Sequence, residues 1–420
     1  MKCKIEKSTL SGTISCPPNK SYSHRAIFLA TLSKGKSVIS NMLLSRDTLA
    51  TIDACRVFGA KIDVSDSIVS VESTGDIVLQ KPEIDASNSG TTIRIAAAIS
   101  SLADIKVTLS GDSSLRKRPM QPLLDALDRM GAKCTSTDGK PPITIRGKIN
   151  GGKITIPGSV SSQFISALLI VAPKTRDGIT LDIEGDMVSK PYLDATIATM
   201  KKFGVAVETV QPYKKYKIPP QQYKPTDFTI PTDFSSMALL LSASVLVGDN
   251  MAISASISDL PQGDMEMISH LEKLGAKVEI GDKITVKSPT LLNGGRFDLS
   301  NTPDLLPPMA ILALKTSKPI EIYNVRHARF KETDRIAILC KELAKIGVRV
   351  TEKEDGMILD APKSLKSAEL ESSDDHRLFM AFCIASMFVG NCTVTDPESV
   401  DVSYPTFIAD MNKIGARISF

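Results

Sequence analysis

One phrase, hydrophobic-x-x-hydrophobic-Gly-x, recurs six times along the chain, and its near-constant spacing constrains the fold more than any single residue does. It reads CRVFGAK (Cys55 to Lys61), LDRMGAK (Leu127 to Lys133), MKKFGV (Met200 to Val205), LEKLGAK (Leu271 to Lys277), LAKIGV (Leu343 to Val348) and MNKIGA (Met411 to Ala416). The glycines Gly59, Gly131, Gly204, Gly275, Gly347 and Gly415 lie 72, 73, 71, 72 and 68 residues apart. Self-similarity at a fixed period implies a repeated structural unit. Each glycine follows an amphipathic run and precedes an alternating apolar one, which predicts a helix ended by a left-handed glycine and then a strand.

Between 40 and 44 residues before each glycine stands a small or polar cluster followed by an apolar run. The clusters are Asn19-Lys20-Ser21, Asn88-Ser89-Gly90, Ser161-Ser162-Gln163, Phe234-Ser235-Ser236, Pro303-Asp304 and Asp374-Asp375-His376. They read as N-caps of buried helices, with the helix before each repeat glycine lying outside. Between Gln211 and Asp233, Pro212, Pro219, Pro220, Pro225 and Pro231 interrupt the periodicity, and this stretch reads as an interdomain connection. Six units then divide into two pseudo-threefold domains. Several inner-helix N-termini would line a cleft between them and favour anions.

Chemistry concentrates at these helix starts. Ser21 and Arg25 are four apart and share a helical face, with Lys20 at the dipole's positive end. Gly90 permits close backbone approach, and Arg94 follows one turn later. Arg116, Lys117 and Arg118 precede Pro119, a residue suited to the first turn of a helix. Ser161, Ser162 and Gln163 supply hydroxyl and amide groups, and Ser189 and Tyr192 add a hydroxyl and a ring. The segment Lys331-Glu332-Thr333-Asp334-Arg335 reads as one helix turn presenting two cations beside a carboxylate. Asp304 and Asp375-His376-Arg377 stand at two further starts. Taken singly, each of these is also a plain cap, a turn or a salt-bridged surface.

Composition narrows the classes. Fifty-one Lys and Arg against 47 Asp and Glu leave a net charge of +4, too balanced for a nucleic-acid or membrane-surface protein. Seven scattered cysteines form no CxxC pair, so neither a zinc site nor a disulfide framework is expected, and a reducing cytoplasm fits. The start, Met1-Lys2-Cys3-Lys4-Ile5, has no apolar signal core. No GxxxxGK[ST], GxGxxG or HExxH motif is present, so no nucleotide or metal cofactor is expected.

In order, KSxSxR, NSGTxxR, RPM, SSQF, SKPY, KETDR and DHR closely resemble the 5-enolpyruvylshikimate-3-phosphate synthase family over Lys20 to Arg377. The resemblance implies an α/β (α+β) fold of two domains, each of three βαβαββ repeats with buried inner helices. Residues 1–13 plus 227–420 would form one discontinuous domain and 14–226 the other, with the active site in the interdomain cleft. It implies transfer of the enolpyruvyl group of phosphoenolpyruvate to the 5-hydroxyl of shikimate 3-phosphate, with release of phosphate. No cofactor or metal takes part.

By the same resemblance, Lys20, Ser21, Arg25, Ser161, Ser162, Gln163, Ser189, Tyr192, Asp304 and Lys331 bind shikimate 3-phosphate. Lys20, Gly90, Arg118, Gln163, Arg335, His376 and Arg377 bind phosphoenolpyruvate. Asp304 accepts the 5-hydroxyl proton, Glu332 protonates the methylene carbon, and Lys20 completes the catalytic set. The substrates carry about −6 between them, against which these cations stand. A monomer in the cytoplasm, without nucleic-acid or membrane partners, is expected. Gly90 implies sensitivity to glyphosate.

The chain departs from the family pattern at three positions. Val402 stands where many members carry a lysine that contacts phosphoenolpyruvate, His327 where Asn is frequent, and Ile95 where Pro is frequent. The sister transferase acting on UDP-N-acetylglucosamine is a rival, but the reactive cysteine it usually carries before its RP motif is missing from Gly111 to Arg118. An RNA 3′-phosphate cyclase and a non-catalytic anion-binding homologue are more distant alternatives.

Overall fold

In the computed structural model, which describes residues 1–420, the six repeat glycines all adopt positive φ, from 80° at Gly204 to 114° at Gly131. The geometry satisfies helix-end carbonyls. At the first repeat, Gly59 N donates to Arg56 O at 3.0 Å and Ala60 N reaches back to Cys55 O at 3.1 Å. A residue with a Cβ would be strained there, which is why the helix stop is written as glycine each time.

Each repeat contributes to a four-stranded sheet, and there are six such sheets. The second repeat shows the pattern. Glu83–Asp85 pairs in parallel with Val107–Ser110 across the inner helix Gly90–Ser100. After the outer helix Gln121–Arg129, the hairpin Lys133–Thr137 and Lys140–Arg146 adds its second strand antiparallel to Val107–Ser110. The chain termini complete the last repeat, where Lys2–Ile5 lies antiparallel to both Cys392–Thr395 and Ile418–Ser419.

The helices divide as their composition requires. The inner ones are Lys20–Leu32, Gly90–Ser100, Ser162–Val171, Phe234–Val247, Leu306–Ile311 and His376–Val389. All fourteen residues of Phe234–Val247 are buried. The fifth inner helix is shortened and flanked by 3₁₀ turns because Pro307 and Pro308 remove amide donors. Outer helices such as Gln121–Arg129 bury one face only, with Leu123, Leu124, Ala126 and Leu127 inward. No helix is long and apolar enough to cross a membrane.

Two units result, each with its own apolar core. The N-terminal unit comprises Pro18–Pro231 and Asp259–Gln262, and the C-terminal unit comprises Met1–Pro17, Thr232–Ser258 and Gly263–Phe420.

Three local expectations are corrected. The proline-rich stretch after Gln211 is no free connection: it forms the strands Lys215–Ile218 and Phe228–Thr229, and it buries Tyr216, Tyr223 and Phe228 in the N-terminal core. Prolines flank these short strands, so they break periodicity without breaking the sheet. Residues 331–334 are not helical. A 3₁₀ turn spans Arg326–Phe330, and the next helix begins at Arg335 under an Asp334 cap that accepts from Ala337 N at 3.0 Å. The proline in the first turn of the Gln121–Arg129 helix is Pro122, and Pro119 lies outside it.

Candidate active site

In the N-terminal unit, Asn19 caps the first inner helix by accepting from Tyr22 N at 2.9 Å, leaving Lys20, Ser21 and Arg25 on its first turns. Lys20 Nζ lies 3.2 Å from Asp47 Oδ2 on the neighbouring helix Arg46–Val57. Arg25 is only 3% exposed. Its Nε donates to Thr196 Oγ1 at 2.8 Å, and its terminal nitrogens donate to the carbonyls of Ser21 at 2.9 Å and Tyr192 at 3.0 Å. All three acceptors are neutral. Burial pulls Arg25 down to about 10, so it keeps its charge at neutral pH with no carboxylate to balance it. A buried charge without a counter-ion is costly unless a ligand supplies one.

A second cluster forms where the Gly90–Ser100 helix meets the Ser162–Val171 helix. Arg94 Nη1 donates to Gln163 Oε1, and Gln163 Nε2 donates to Thr91 Oγ1 at 3.2 Å. Arg118 Nη2 donates to Asn88 Oδ1 at 2.8 Å, and Asn88 in turn donates to Asp112 Oδ2 at 2.7 Å. These groups converge on Gly90, where an added Cβ would stand 2.7 Å from Arg94 Nη1 and 3.1 Å from Arg118 Nη1. Two guanidinium groups, an amide and an uncrowded helix start together make an anion cradle. Of the expected triplet, only Arg118 is buried.

The remaining predicted residues of this unit are less engaged. Ser161 accepts from Gln163 N at 3.3 Å as a helix cap, and Ser162 is buried in the first turn. Ser189 is buried in left-handed geometry, with φ 55°, just before the Lys190–Lys202 helix that carries Tyr192. Tyr192 is half-buried and reaches Arg25 through its backbone carbonyl.

The C-terminal unit gathers its predicted residues more tightly. Arg335 is 1% exposed and meets three carboxylates. Its Nε donates to Asp375 Oδ2 at 2.7 Å, Nη1 to Asp304 Oδ1 at 2.8 Å and Nη2 to Glu332 Oε2 at 2.7 Å. Asp304 also meets Arg377 Nη2 at 3.2 Å and Lys331 Nζ at 3.6 Å. Burial lowers Lys331, and Asp304 opposes that. His376 is buried at the first position of its helix. Val402 closes a 3₁₀ turn with its side chain buried.

Some site residues showed only part of their role in the sequence, and others showed none. Asp375 was legible as a cap, and it does accept from Arg377 N at 2.9 Å, but its second role as a partner of Arg335 depends on tertiary packing. Asp264, hydrogen-bonded by Ser235 Oγ, is pushed up to about 7, chiefly by burial and then by Asp304. Asp47, the partner of Lys20, lies in no cluster the sequence singled out. Chemically, the N-terminal unit offers cations and donors for anions, and the C-terminal unit offers carboxylates held among cations, suited to proton transfer.

A family model described as EPSP synthase (3-phosphoshikimate 1-carboxyvinyltransferase) matches residues 5–411. A 3-phosphoshikimate 1-carboxyvinyltransferase of Nitrosopumilus maritimus is 62% identical over 419 residues, covering 100% of this chain and 99% of its own. That of Methanothermobacter thermautotrophicus is 40% identical over 423 residues, with both chains fully covered. The EPSP synthase structure from Acinetobacter baumannii superposes with a TM-score of 0.81 at 25% identity, covering 100% of each chain. The enolpyruvyl transferase NikO from Streptomyces tendae shares the fold, with a TM-score of 0.80 at 18% identity over 100% of this chain and 98% of its own.

Proposed function

This chain belongs to the EPSP synthase (3-phosphoshikimate 1-carboxyvinyltransferase) family, and we propose that the two clusters above divide the work of its reaction between them. The chain transfers the enolpyruvyl group of phosphoenolpyruvate to the 5-hydroxyl of shikimate 3-phosphate and releases phosphate, a step of the shikimate pathway to chorismate and the aromatic amino acids. The observation that carries the division is Arg25, a buried guanidinium fixed by neutral acceptors alone. With Lys20, Ser21, Ser161, Ser162, Gln163, Ser189 and Tyr192 it takes shikimate 3-phosphate, its charge answered by a substrate anion. The cradle of Gly90, Arg118 and Gln163, with Lys20, takes phosphoenolpyruvate.

The carboxylates move the protons. Asp304, oriented by Arg335, Arg377 and Lys331, accepts the proton of the 5-hydroxyl. Glu332, protonated once phosphoenolpyruvate takes its place on Arg335, gives that proton to the methylene carbon of phosphoenolpyruvate, and the 5-oxygen attacks the adjacent cationic carbon. The tetrahedral adduct then returns a methyl proton to Glu332 as the C–O bond to phosphate breaks and phosphate leaves. Arg335, His376 and Arg377 hold phosphoenolpyruvate, which competes with Glu332 for the Nη2 end of Arg335. Lys331 holds shikimate 3-phosphate, and Lys20 neutralises charge at the reacting centre.

A single chain in the cytoplasm suffices for this reading, and the seven thiols, all unpaired, suit a reducing compartment. The test is phosphate release by purified protein given both substrates, with each omitted in turn and with EDTA added. Release that needs both and ignores EDTA is expected. Release with UDP-N-acetylglucosamine in place of shikimate 3-phosphate would overturn the reading.

A further inference from the structure

Lys20 and His24 stand one turn apart on the first inner helix, and Asp47 and Thr51 stand one turn apart on the helix beside it. The two pairs meet as parallel rungs. The charged rung joins Lys20 Nζ to Asp47 Oδ2 at 3.2 Å, and the neutral rung joins His24 Nδ1 to Thr51 Oγ1 at 2.6 Å. The neutral rung continues into a third helix. Thr51 Oγ1 lies 2.7 Å from Thr92 Oγ1, Thr92 Oγ1 is 2.7 Å from Ser89 Oγ, and Ser89 caps the Gly90–Ser100 helix by accepting from Thr92 N at 3.1 Å. Thr92 Oγ1 also reaches Asp47 O at 3.4 Å.

The direction of this chain follows from counting protons. Thr92 donates its hydroxyl proton to Ser89, so it accepts from Thr51, and Thr51 accepts from His24. That sequence requires a proton on Nδ1, which a neutral His24 meets in its Nδ1–H form. The surroundings supply the condition: His24 is wholly buried, and burial, with Lys20 and Arg25 adding to it, holds it well below the usual histidine range. Its Nε2 has no hydrogen-bond partner, so the ring's one polar engagement is the rung to Thr51.

We infer that His24 is a positioning residue that, through Thr51, Thr92 and Ser89, fixes Lys20 relative to Gly90 and thereby sets the affinity for phosphoenolpyruvate. The inference rests on the assignment of Lys20 and Gly90 to phosphoenolpyruvate made above. All four side chains are buried with their polar atoms turned to one another, and none belongs to the substrate sets above, so they act through the groups they align. Lys20 and Gly90 start separate helices, and an apolar contact between those helices would let them slide. Directed hydrogen bonds define one register.

The experiment compares Thr51→Val, His24→Leu, their combination and His24→Asn in the full chain, by steady-state phosphate release with each substrate varied. Each of the first two raises the KM for phosphoenolpyruvate about tenfold, the loss expected for one buried hydrogen bond. The KM for shikimate 3-phosphate and kcat stay within about threefold. The double variant is no worse than either single one by more than about twofold, because both break the same chain. His24→Asn, whose amide donates as the imidazole does, returns the KM to within about threefold of the parent protein. An unchanged KM in Thr51→Val, additive losses in the double variant, or His24→Asn as poor as His24→Leu would each overturn the inference. Should His24→Leu fail to fold, Thr51→Val and Thr92→Val make the same comparison. A parent protein that releases no phosphate would show itself before any variant is compared, and would overturn both this inference and the reading it rests on.

Discussion

Asp304 accepts a hydrogen bond from Arg335 at 2.8 Å, and that contact ties together two groups that each serve several partners. Asp304 also faces Lys331 and Arg377, and Arg335 also faces Glu332 and Asp375. Such a network holds its geometry firmly. It tolerates the loss of a member poorly, because a buried charge left without its partner costs about 3–5 kcal/mol.

Asp304→Asn separates the chemistry from that architecture. Asparagine keeps the shape and an acceptor oxygen but takes up no proton. The turnover number is expected to fall by about 10²–10⁴, while calorimetry finds shikimate 3-phosphate bound at least as tightly as before, since a negative charge beside an anionic ligand has gone. A kcat within tenfold of the parent protein would remove Asp304 from the role of base.

Gly90→Ala probes the anion cradle. Its Cβ would sit 2.7 Å from Arg94 Nη1 and 3.1 Å from Arg118 Nη1. Both are ends of flexible side chains, so they move aside and the helix survives. What is lost is their convergence, and the KM for phosphoenolpyruvate should rise by one to two orders of magnitude, roughly the value of one or two charge-assisted hydrogen bonds. Glyphosate should inhibit the parent protein and weaken against Gly90→Ala. An unchanged KM and inhibition profile would mean that the cradle holds neither compound.

Stability against pH carries opposing contributions from two neighbours of Asp304. His327 is pulled down to about 4 by burial first and Lys331 next. Below the ordinary histidine value, the unfolded chain takes up a proton that folded His327 refuses, so stability falls as pH drops from about 6.5 to 4; His270 acts in the same direction. Asp264 is pushed up to about 7. It keeps its proton when folded and loses it near 4 when unfolded, so its contribution falls as pH rises from about 4 to 7. Asp264→Asn removes only the second effect. Its urea midpoint should therefore climb more steeply between pH 4.5 and 6.5 than that of the parent protein, and parallel curves would contradict the assignment.

What the sequence made legible was local. A glycine at positive φ and a cap that accepts from the next turn are decided within a few residues, so the six helix stops and the polar starts at Asn19, Ser89, Ser161, Asp233 and Asp375 lie within or beside the predicted clusters. The strands Lys215–Ile218 and Phe228–Thr229 were hidden because prolines at their ends imitate a linker, and the second of them pairs with Ile39 and Ser40, far away in sequence. The helical reading of Lys331 to Arg335 failed for a related reason. Asp334 caps the helix that follows, and Glu332 reaches Arg335 across that cap and not along a helix face. The coupling of Asp264 to Asp304 and the Thr196 and Tyr192 acceptors of Arg25 became visible only when separate repeats packed together.

The repeat glycines themselves supply the sharpest test of that local reading, because two of them differ only in what surrounds them. Gly131 has φ 114° and would place a Cβ no nearer than 3.5 Å from any neighbour, at Lys148 O. Alanine there pays only for its backbone conformation, about 1–2 kcal/mol. Gly347 has a similar φ of 104°, but its Cβ would press on the carbonyl oxygen of Ser364, a backbone atom that cannot swing away. Alanine there must shift the strand approach as well, and should cost at least about 1–3 kcal/mol more. Urea unfolding of the two variants should rank Gly131→Ala well above Gly347→Ala in midpoint. Equal losses would mean that the left-handed conformation alone fixes these positions, and that the packing behind the helix stops yields without cost.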